Sequence, residues 1–278
     1  MWAVTGGCHC SFDCDKFHDN CGNCNMFVGN EKATFQQLGI KATLFGKYDN
    51  VCFLSPSEWM QKRAMESIVA KGRKVFHIPN PLDDSIFKPM DKSLARSILN
   101  LPKDKIIISF GCQSGTCNVV KGWSYMKEAI NRLSYPKDDI LLLVFGSDKD
   151  KQTEEEVKYH IHFMGQVFDE HKLMLIANAA TVFVSASLSE TFGYTLIENI
   201  LCNTPVVSFD NTAIPETVKM KKNGYLARNK DAKDLAAGIE WCISNPLSPA
   251  DHTNYSSREI VGRHIEMVNE LLSKKSNE

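Results

Sequence analysis

Three groups of side chains in this 278-residue chain have the types and spacing to do chemistry. Glu190 and Glu198 bracket Thr191-Phe192-Gly193-Tyr194-Thr195-Leu196-Ile197, and carboxylates so placed accept hydrogen bonds from hydroxyls, which suits a sugar. Lys121 is the only cation in the small-residue stretch 111–122, which begins at Gly111 and ends at Gly122. A lysine at a helix start opposes the helix dipole, so its position asks for an anion nearby. The third group is Cys8, His9, Cys10, Cys14, His18, Cys21 and Cys24, in a short polar stretch with no helical or strand period. Cys21-Gly22-Asn23-Cys24 is a C-x2-C pair, the tight turn that lets two thiolates share one tetrahedral zinc, and Cys14 with Cys8 or His9 can complete four ligands. Thiols that only pack, and a zinc-knuckle binding module, are the competing readings of these residues.

The two glutamates need a frame. Thr181-Val182-Phe183-Val184 has the length and β-branched composition of a buried parallel strand, and Pro205-Val206-Val207-Ser208-Phe209 reads as the next one. The residues between them form a loop and a helix, which makes one β-α-β unit. In such a unit the loop after the first strand opens onto the amino end of the helix, where backbone N–H groups and the dipole attract phosphate. Gly193 lets a ligand approach the backbone closely. Leu196, Ile197, Ile200 and Leu201 recur with helical spacing and are expected to face the sheet, turning Glu198 toward the ligand side. A phosphate site flanked by carboxylates makes sense for a nucleotide sugar, whose phosphates take the N–H groups while its hydroxyls donate to the carboxylates. The blander role for Glu198, complementing a helix dipole, is worth only a few tenths of a kcal/mol.

The same alternation runs through the rest of the chain. Lys105 to Gly111 is a strand, Trp123 to Leu133 a helix and Ile140 to Phe145 a second strand, followed by a shorter strand ending at Phe163 to Gly165 and a helix from Leu173 to Ala179. Right-handed crossovers then predict an α/β fold with a doubly wound parallel sheet. Upstream, Val51 to Leu54 and Val75 to Ile78 read as strands around a helix that Ser57 caps and that runs through Trp59, Met60, Ala64, Met65 and Ile68 toward Gly72. Pro79-Asn80-Pro81 breaks the second strand, and the polar stretch to Pro89 reads as a linker. The expected domains are therefore 1–80, containing the Cys-rich segment 8–24, and 81–278, with helices around Leu235 to Cys242 and Ile260 to Leu272.

Composition bounds the function. At 43% hydrophobic and 23% charged residues the chain can bury a substantial core. A net charge of -1 and the lack of a long basic run argue against nucleic acid as a partner. The first residues lack a basic and an apolar region of a leader, and no apolar stretch approaches about 18 residues, so a cytoplasmic location without a transmembrane segment is expected. Ten cysteines without a secretory context read as reduced thiols.

Ser187-Leu188-Ser189-Glu190-Thr191-Phe192-Gly193-Tyr194-Thr195-Leu196-Ile197-Glu198 resembles the E-x7-E signature of the family 4 ("group 1") retaining glycosyltransferases. Phe76-His77-Ile78-Pro79-Asn80-Pro81-Leu82-Asp83, Lys121-Gly122, Phe145-Gly146-Ser147, Thr204-Pro205-Val206-Val207, Pro215-Glu216 and Asn223-Gly224-Tyr225 match further stretches in the family's order, so the resemblance covers nearly the whole chain. It implies a GT-B fold with a complete carboxyl-terminal Rossmann-like domain, a partial amino-terminal Rossmann-like domain lacking its first part, and a last helix that crosses back to the first domain. It implies transfer of a sugar from a nucleotide-diphosphate sugar to a glycan or lipid-linked acceptor, with retention, in surface polysaccharide synthesis. Glu190 and Lys121 match the catalytic positions; Glu198, Phe192, Gly193, Tyr194, Thr195 and Gly111 match donor-binding positions, Glu198 on the ribose, and Lys121 with Thr195 on the diphosphate. No cofactor is required, and a structural zinc is the only metal in view. Some relatives carry a similar Thr-Gly-Gly-Cys-His segment with a following Cys-Gly-x-Cys. Two features depart from the pattern: the stretch from Gln113 to Asn118 lacks the arginine that members commonly carry before the lysine, and the chain is short. The alternative reading is thus a non-catalytic nucleotide-sugar-binding or structural module, and peripheral membrane attachment or self-association stays open.

Overall fold

The computed structural model describes residues 1–8, 14–24, 27, 31–111, 119–148, 151–253 and 255–275. They form two compact units. The first comprises Met1–Pro81, Ser189–Phe192 and Arg258–Glu278; the second comprises Leu82–Leu188 and Gly193–Ser257.

In the first unit, α1 (Glu31–Gly46) precedes β1 (Phe53–Ser55), α2 (Glu58–Glu66) and β2 (Val75–His77). The two short strands pair in parallel, Phe53 opposite Val75 and Ser55 opposite His77. Ser57 caps α2 by accepting from the Met60 N–H, as its position before the apolar run requires. The sequence expectation carries this helix to Ile68, but it stops at Glu66. Ser67 turns the chain because its hydroxyl donates to the Val4 carbonyl (2.6 Å) while accepting from the Val69 N–H (3.1 Å), a local alternative to the helical ladder. Among the described residues two small cores result: Val4, Met60, Ala64 and Ala70 in one, Phe17, Cys21, Leu38 and Val69 in the other.

The second unit continues with α3 (Lys92–Ile98), β3 (Ile106–Gly111), α4 (Trp123–Arg132), β4 (Ile140–Phe145), α5 (Lys151–Glu156), β5 (His160–Phe163), α6 (Glu170–Ala179), β6 (Val182–Ser185), α7 (Tyr194–Leu201), β7 (Val206–Phe209), α8 (Ile214–Thr217), β8 (Gly224–Ala227) and α9 (Ala232–Ser244). The last helix, α10 (Ser257–Lys275), returns the chain to the first unit. Six strands make one parallel sheet in the order β5-β4-β3-β6-β7-β8. Because both faces are covered, successive residues alternate between two cores. Ile108, Phe110, Leu142, Val144, Val182, Val184, Val207 and Phe209 pack with α4 and α9, while Ile107, Leu141, Leu143, Phe183 and Val206 pack with α3, α6 and α7. That double burial is why these strands read as unbroken apolar runs. Among the described residues no helix is long and apolar enough to cross a membrane.

Candidate active site

The sheet order decides where a ligand can sit. The chain enters the sheet centrally at β3, steps outward through β4 and β5, then returns beside β3 as β6 and steps the other way through β7 and β8. The connections reverse direction between β3 and β6, and in an open parallel sheet the crevice at such a switch point, at the carboxyl ends of the strands, is the ligand site. The loops leaving these two strands are the ones that carry Lys121 and the paired glutamates.

Gly111 ends β3 against the Phe145 ring, where an added Cβ would lie 2.9 Å from the ring. Residues 112–118 lie outside the described residues. The loop resumes as a tight turn, Val119–Lys121, with Lys121 half-buried. Gly122 then adopts a left-handed conformation (φ 65°, ψ 33°) at the amino cap of α4, and a Cβ there would stand 2.0 Å from the Ala186 carbonyl oxygen. The Leu188 N–H donates to the Val120 carbonyl at 2.8 Å. Backbone contact between Gly122 and Ala186 thus stitches the two switch-point loops together, which only glycine permits at that φ and that distance.

Gly193, also left-handed (φ 83°, ψ 51°), caps α7. Neither α4 nor α7 has a side chain accepting at its amino cap, whereas Ser57, Asp91, Asp169 and Asp231 cap α2, α3, α6 and α9 in the usual way. A glycine cap costs only a few tenths of a kcal/mol relative to those residues, and it leaves no side-chain oxygen to compete with an anion at either amino end. Tyr194 is exposed and Thr195 half-buried on the first turn of α7.

Glu198 sits one turn further along. The sequence expectation turns it away from the sheet, toward the ligand side; in the structure it is half-buried, on a helix that buries Leu196, Ile197, Asn199, Ile200 and Leu201. Burial raises its carboxyl to about 7, and the negative charge of Glu170, the first residue of α6, adds to the rise. Lys121, Gly111, Gly193, Tyr194, Thr195 and Glu198 belong to one compact unit. Glu190, half-buried, and Phe192, buried, fall in Ser189–Phe192, which clusters with the first unit.

Sequence reasoning missed two contributors. The contact of Gly122 with Ala186 joins loops far apart in the chain, and its only sequence signal is a small residue in each. Glu170 acts on Glu198 through space from a different helix and leaves no motif. Of the Cys-rich segment, Cys21 is buried among Phe17, Leu38 and Val69, Cys8 and Cys24 are half-buried and Cys14 is exposed, while His9 and Cys10 lie outside the described residues. Among the described residues no group of three or more His, Cys, Asp or Glu is placed to hold a metal ion, so the structure does not bring Cys8, Cys14, Cys21 and Cys24 together as the ligand set expected from their spacing.

The family profile described as "Glycosyl transferases group 1" matches residues 91–259, more than half of the chain. The chain belongs to the group 1 glycosyltransferases. Within that family it is similar to an alpha-maltose-1-phosphate synthase of Mycolicibacterium smegmatis, 28% identical over 193 residues that cover 62% of this chain and 48% of the relative. It is also similar to a phosphatidyl-myo-inositol mannosyltransferase of Mycobacterium leprae, 28% identical over 46% of this chain and 35% of that one. The matched stretch thus spans about half or less of the length of these curated relatives. Among solved structures, sucrose-phosphate synthase from Thermosynechococcus elongatus superposes with a TM-score of 0.73 at 22% identity, covering 92% of this chain and 67% of that chain. HepE from Anabaena, solved with UDP and glucose, superposes with a TM-score of 0.71 at 18% identity, covering 84% and 67%. At these identities the likeness establishes the fold, an α/β architecture of GT-B type with a parallel sheet.

Proposed function

We propose that this group 1 glycosyltransferase binds a nucleotide-diphosphate sugar at the β3/β6 switch point and transfers the sugar, with retention, to a glycan or lipid-linked acceptor in surface polysaccharide synthesis on the cytoplasmic side. The observation that carries the reading is the meeting of two glycine-capped helix amino ends and Lys121 at one switch point. In it Lys121, Thr195 and the amino ends of α4 and α7 take the diphosphate, where backbone N–H groups and a fixed cation meet negative charge without a metal. Glu198 accepts from the ribose hydroxyls. Glu190, with the backbone of Phe192 to Tyr194, holds the sugar, and Lys121 also offsets the charge that builds on the departing diphosphate. Residues 1–80 contribute part of the acceptor-side domain and 81–278 the donor domain with the returning helix.

A second reading, a module that binds nucleotide sugar without turnover, is favoured by the limited stretch shared with full-length relatives and by the arginine missing between Gln113 and Asn118. Calorimetry with a panel of nucleotide-diphosphate sugars, followed by turnover with the ligand that binds, separates the two. Binding that weakens about ten- to a hundredfold in Lys121→Ala, the range for losing a charged hydrogen bond, is the expected result. Proton NMR of the product should then show the donor's anomeric configuration kept. Failure of every nucleotide sugar to bind the wild-type chain overturns both readings.

A further inference from the structure

A nucleotide held at the β3/β6 switch point has to lay its nucleoside along the carboxyl edge of the sheet, toward β5 on one side or toward β8 on the other. The two sides differ. Among the described residues the loops leaving β7 and β8 expose no large apolar side chain, and their polar groups are already engaged. The Asn211 amide donates to the Ser187 carbonyl (3.1 Å) and to Asn229 Oδ1 (3.0 Å), and the Arg228 guanidinium pairs with Asp231 (3.0 Å) and Asp234 (3.3 Å). The loop leaving β5 instead carries Phe168, which at 86% is the most exposed large apolar residue among those described.

The backbone on both sides of that ring is fixed. Gly146, just after β4, and Gly165, just after β5, both take the left-handed region (φ 81° and 68°), and the Gly146 N–H donates to the Gly165 carbonyl at 2.8 Å. Gln166 Nε2 closes the pair by donating to the Gly146 carbonyl at 2.9 Å, so the two strand ends are locked together with no Cβ on either glycine to narrow the edge. On the other side, Asp169 caps α6 by accepting from the His171 and Lys172 N–H groups (2.8 and 3.4 Å). Phe168 is therefore displayed on a rigid loop, and at its exposure the ring gains almost nothing from the protein's own core. Its place fits a nucleoside. β5 lies two strands from β3, about 10 Å at ordinary strand spacing, which is the direction and scale of a nucleoside whose diphosphate sits at the switch point. The Glu198 side points the same way, since the Glu170 charge that bears on Glu198 comes from two residues beyond Phe168.

We propose that Phe168 is the platform on which the nucleobase of the donor stacks. The inference rests on the reading of the switch point as a nucleotide-sugar site and names the group that holds its base end. Every base presents a π-face, and stacking on an aromatic ring tolerates all of them, so Phe168 separates a nucleotide from a bare diphosphate rather than one base from another. A grip at the base also offsets, in donor affinity, the arginine missing between Gln113 and Asn118.

The test is calorimetry on the full chain with UDP, GDP and ADP as probes and inorganic pyrophosphate as the probe that carries no base. In Phe168→Ala the tightest-binding of the three nucleotides should bind about five- to a hundredfold more weakly, the range for one lost base–aromatic stack, while pyrophosphate binds as it does to wild type. Phe168→Trp should restore the nucleotide's affinity, and the emission that its indole adds should change when the nucleotide is added but not with pyrophosphate. Leu94→Ala, at an exposed apolar residue of α3, should leave nucleotide affinity unchanged. Because the Phe168 ring has little packing to lose, Phe168→Ala should melt with wild type. The inference falls, with the switch-point reading intact, if Phe168→Ala binds the nucleotide within about twofold of wild type while Lys121→Ala does not. It falls equally if Phe168→Ala loses pyrophosphate to the same degree as the nucleotide. If none of the three nucleotides binds the wild-type chain, or Lys121→Ala leaves their affinity untouched, the switch-point reading falls and the base platform with it.

Discussion

Glu198 is a carboxyl group held near neutrality, at about 7 against an ordinary 4.5, by its own burial and by Glu170. Between those two values the folded protein binds a proton that the unfolded chain does not, so stability falls as pH rises through the window and the penalty is complete above 7. A shift of that size corresponds to at most about 3 kcal/mol, less after local relaxation. Glu198→Gln should therefore melt higher than wild type at pH 8 and at the same temperature at pH 4, by differential scanning calorimetry. If Glu198 accepts from the ribose as proposed, the same group ties stability to function, since the ionised carboxylate is the better acceptor for a hydroxyl. Donor affinity should rise from pH 6 to pH 8 in wild type and stay flat in Glu198→Gln; a flat wild-type profile would remove Glu198 from the donor site. Gly122 makes a different kind of point. Gly122→Ala combines a left-handed φ with a Cβ 2.0 Å from the Ala186 carbonyl, and should cost at least about 2 kcal/mol in urea unfolding. The glutamates and Lys121 could be picked out from the sequence because a motif and a helix start locate them. The Gly122–Ala186 contact could not, because a steric limit between two loops has no periodicity.

At the scale of elements, the strands that read most plainly from the sequence are the ones buried on both faces. β3, β4, β6 and β7 are dominated by Ile, Leu, Val and Phe, with a single serine in each of β3, β6 and β7 and no polar alternation to blur them. The elements it does not find have a physical reason each. β8 begins at Gly224, where a Cβ would lie 2.1 Å from the Val206 carbonyl, so a residue that ordinarily weakens strands is the one that lets this edge strand pair. α1, between the Cys-rich segment and β1, leaves Phe35, Ile40 and Leu44 exposed and buries only Thr34 and Leu38 among its described residues, so its apolar residues do not line one face and no stripe announces it. α3 is short and polar, and its anchor is a buried arginine: Arg96 donates to the carbonyls of Ala179, Lys103 and Lys105 and to Thr181 Oγ1. Arg96→Leu would leave three carbonyls without their donor and should destabilise by about 3 kcal/mol or more. Arg132→Leu, which removes only an exposed pairing with Glu128, should stay within about 0.5 kcal/mol. Urea titrations of the pair decide it, and equal effects would mean that the Arg96 network is ornamental to α3.

For the whole molecule, the two compact units differ in how much core they own. Both large clusters, on the two faces of the six-stranded sheet, are made wholly of residues from Ala95 to Cys242. Among its described residues the first unit has two clusters of four buried residues each and a two-stranded sheet, and a two-stranded sheet is marginal in water at best. Its returning helix shows Val261, Ile265, Val268 and Leu272 to solvent at helical spacing, and Leu54 in β1 is exposed as well. A fragment spanning residues 82–257 should therefore unfold in one cooperative transition on its own, while a fragment of residues 1–81 should give none. The groups proposed to bind the diphosphate, Lys121, Thr195 and the amino ends of α4 and α7, all lie within the larger fragment, so it should keep whatever nucleoside-diphosphate affinity the full chain has within about tenfold, a change of no more than about 1.4 kcal/mol. On the proposed function any transfer by the full chain should be lost in this fragment, because positioning an acceptor hydroxyl against the donor carbon supplies a large part of the rate and is proposed to need residues 1–81. Thermal melts and calorimetry on the two fragments check the first claims, and product formation by the larger fragment at the full chain's rate would show that residues 1–81 have no part in the reaction.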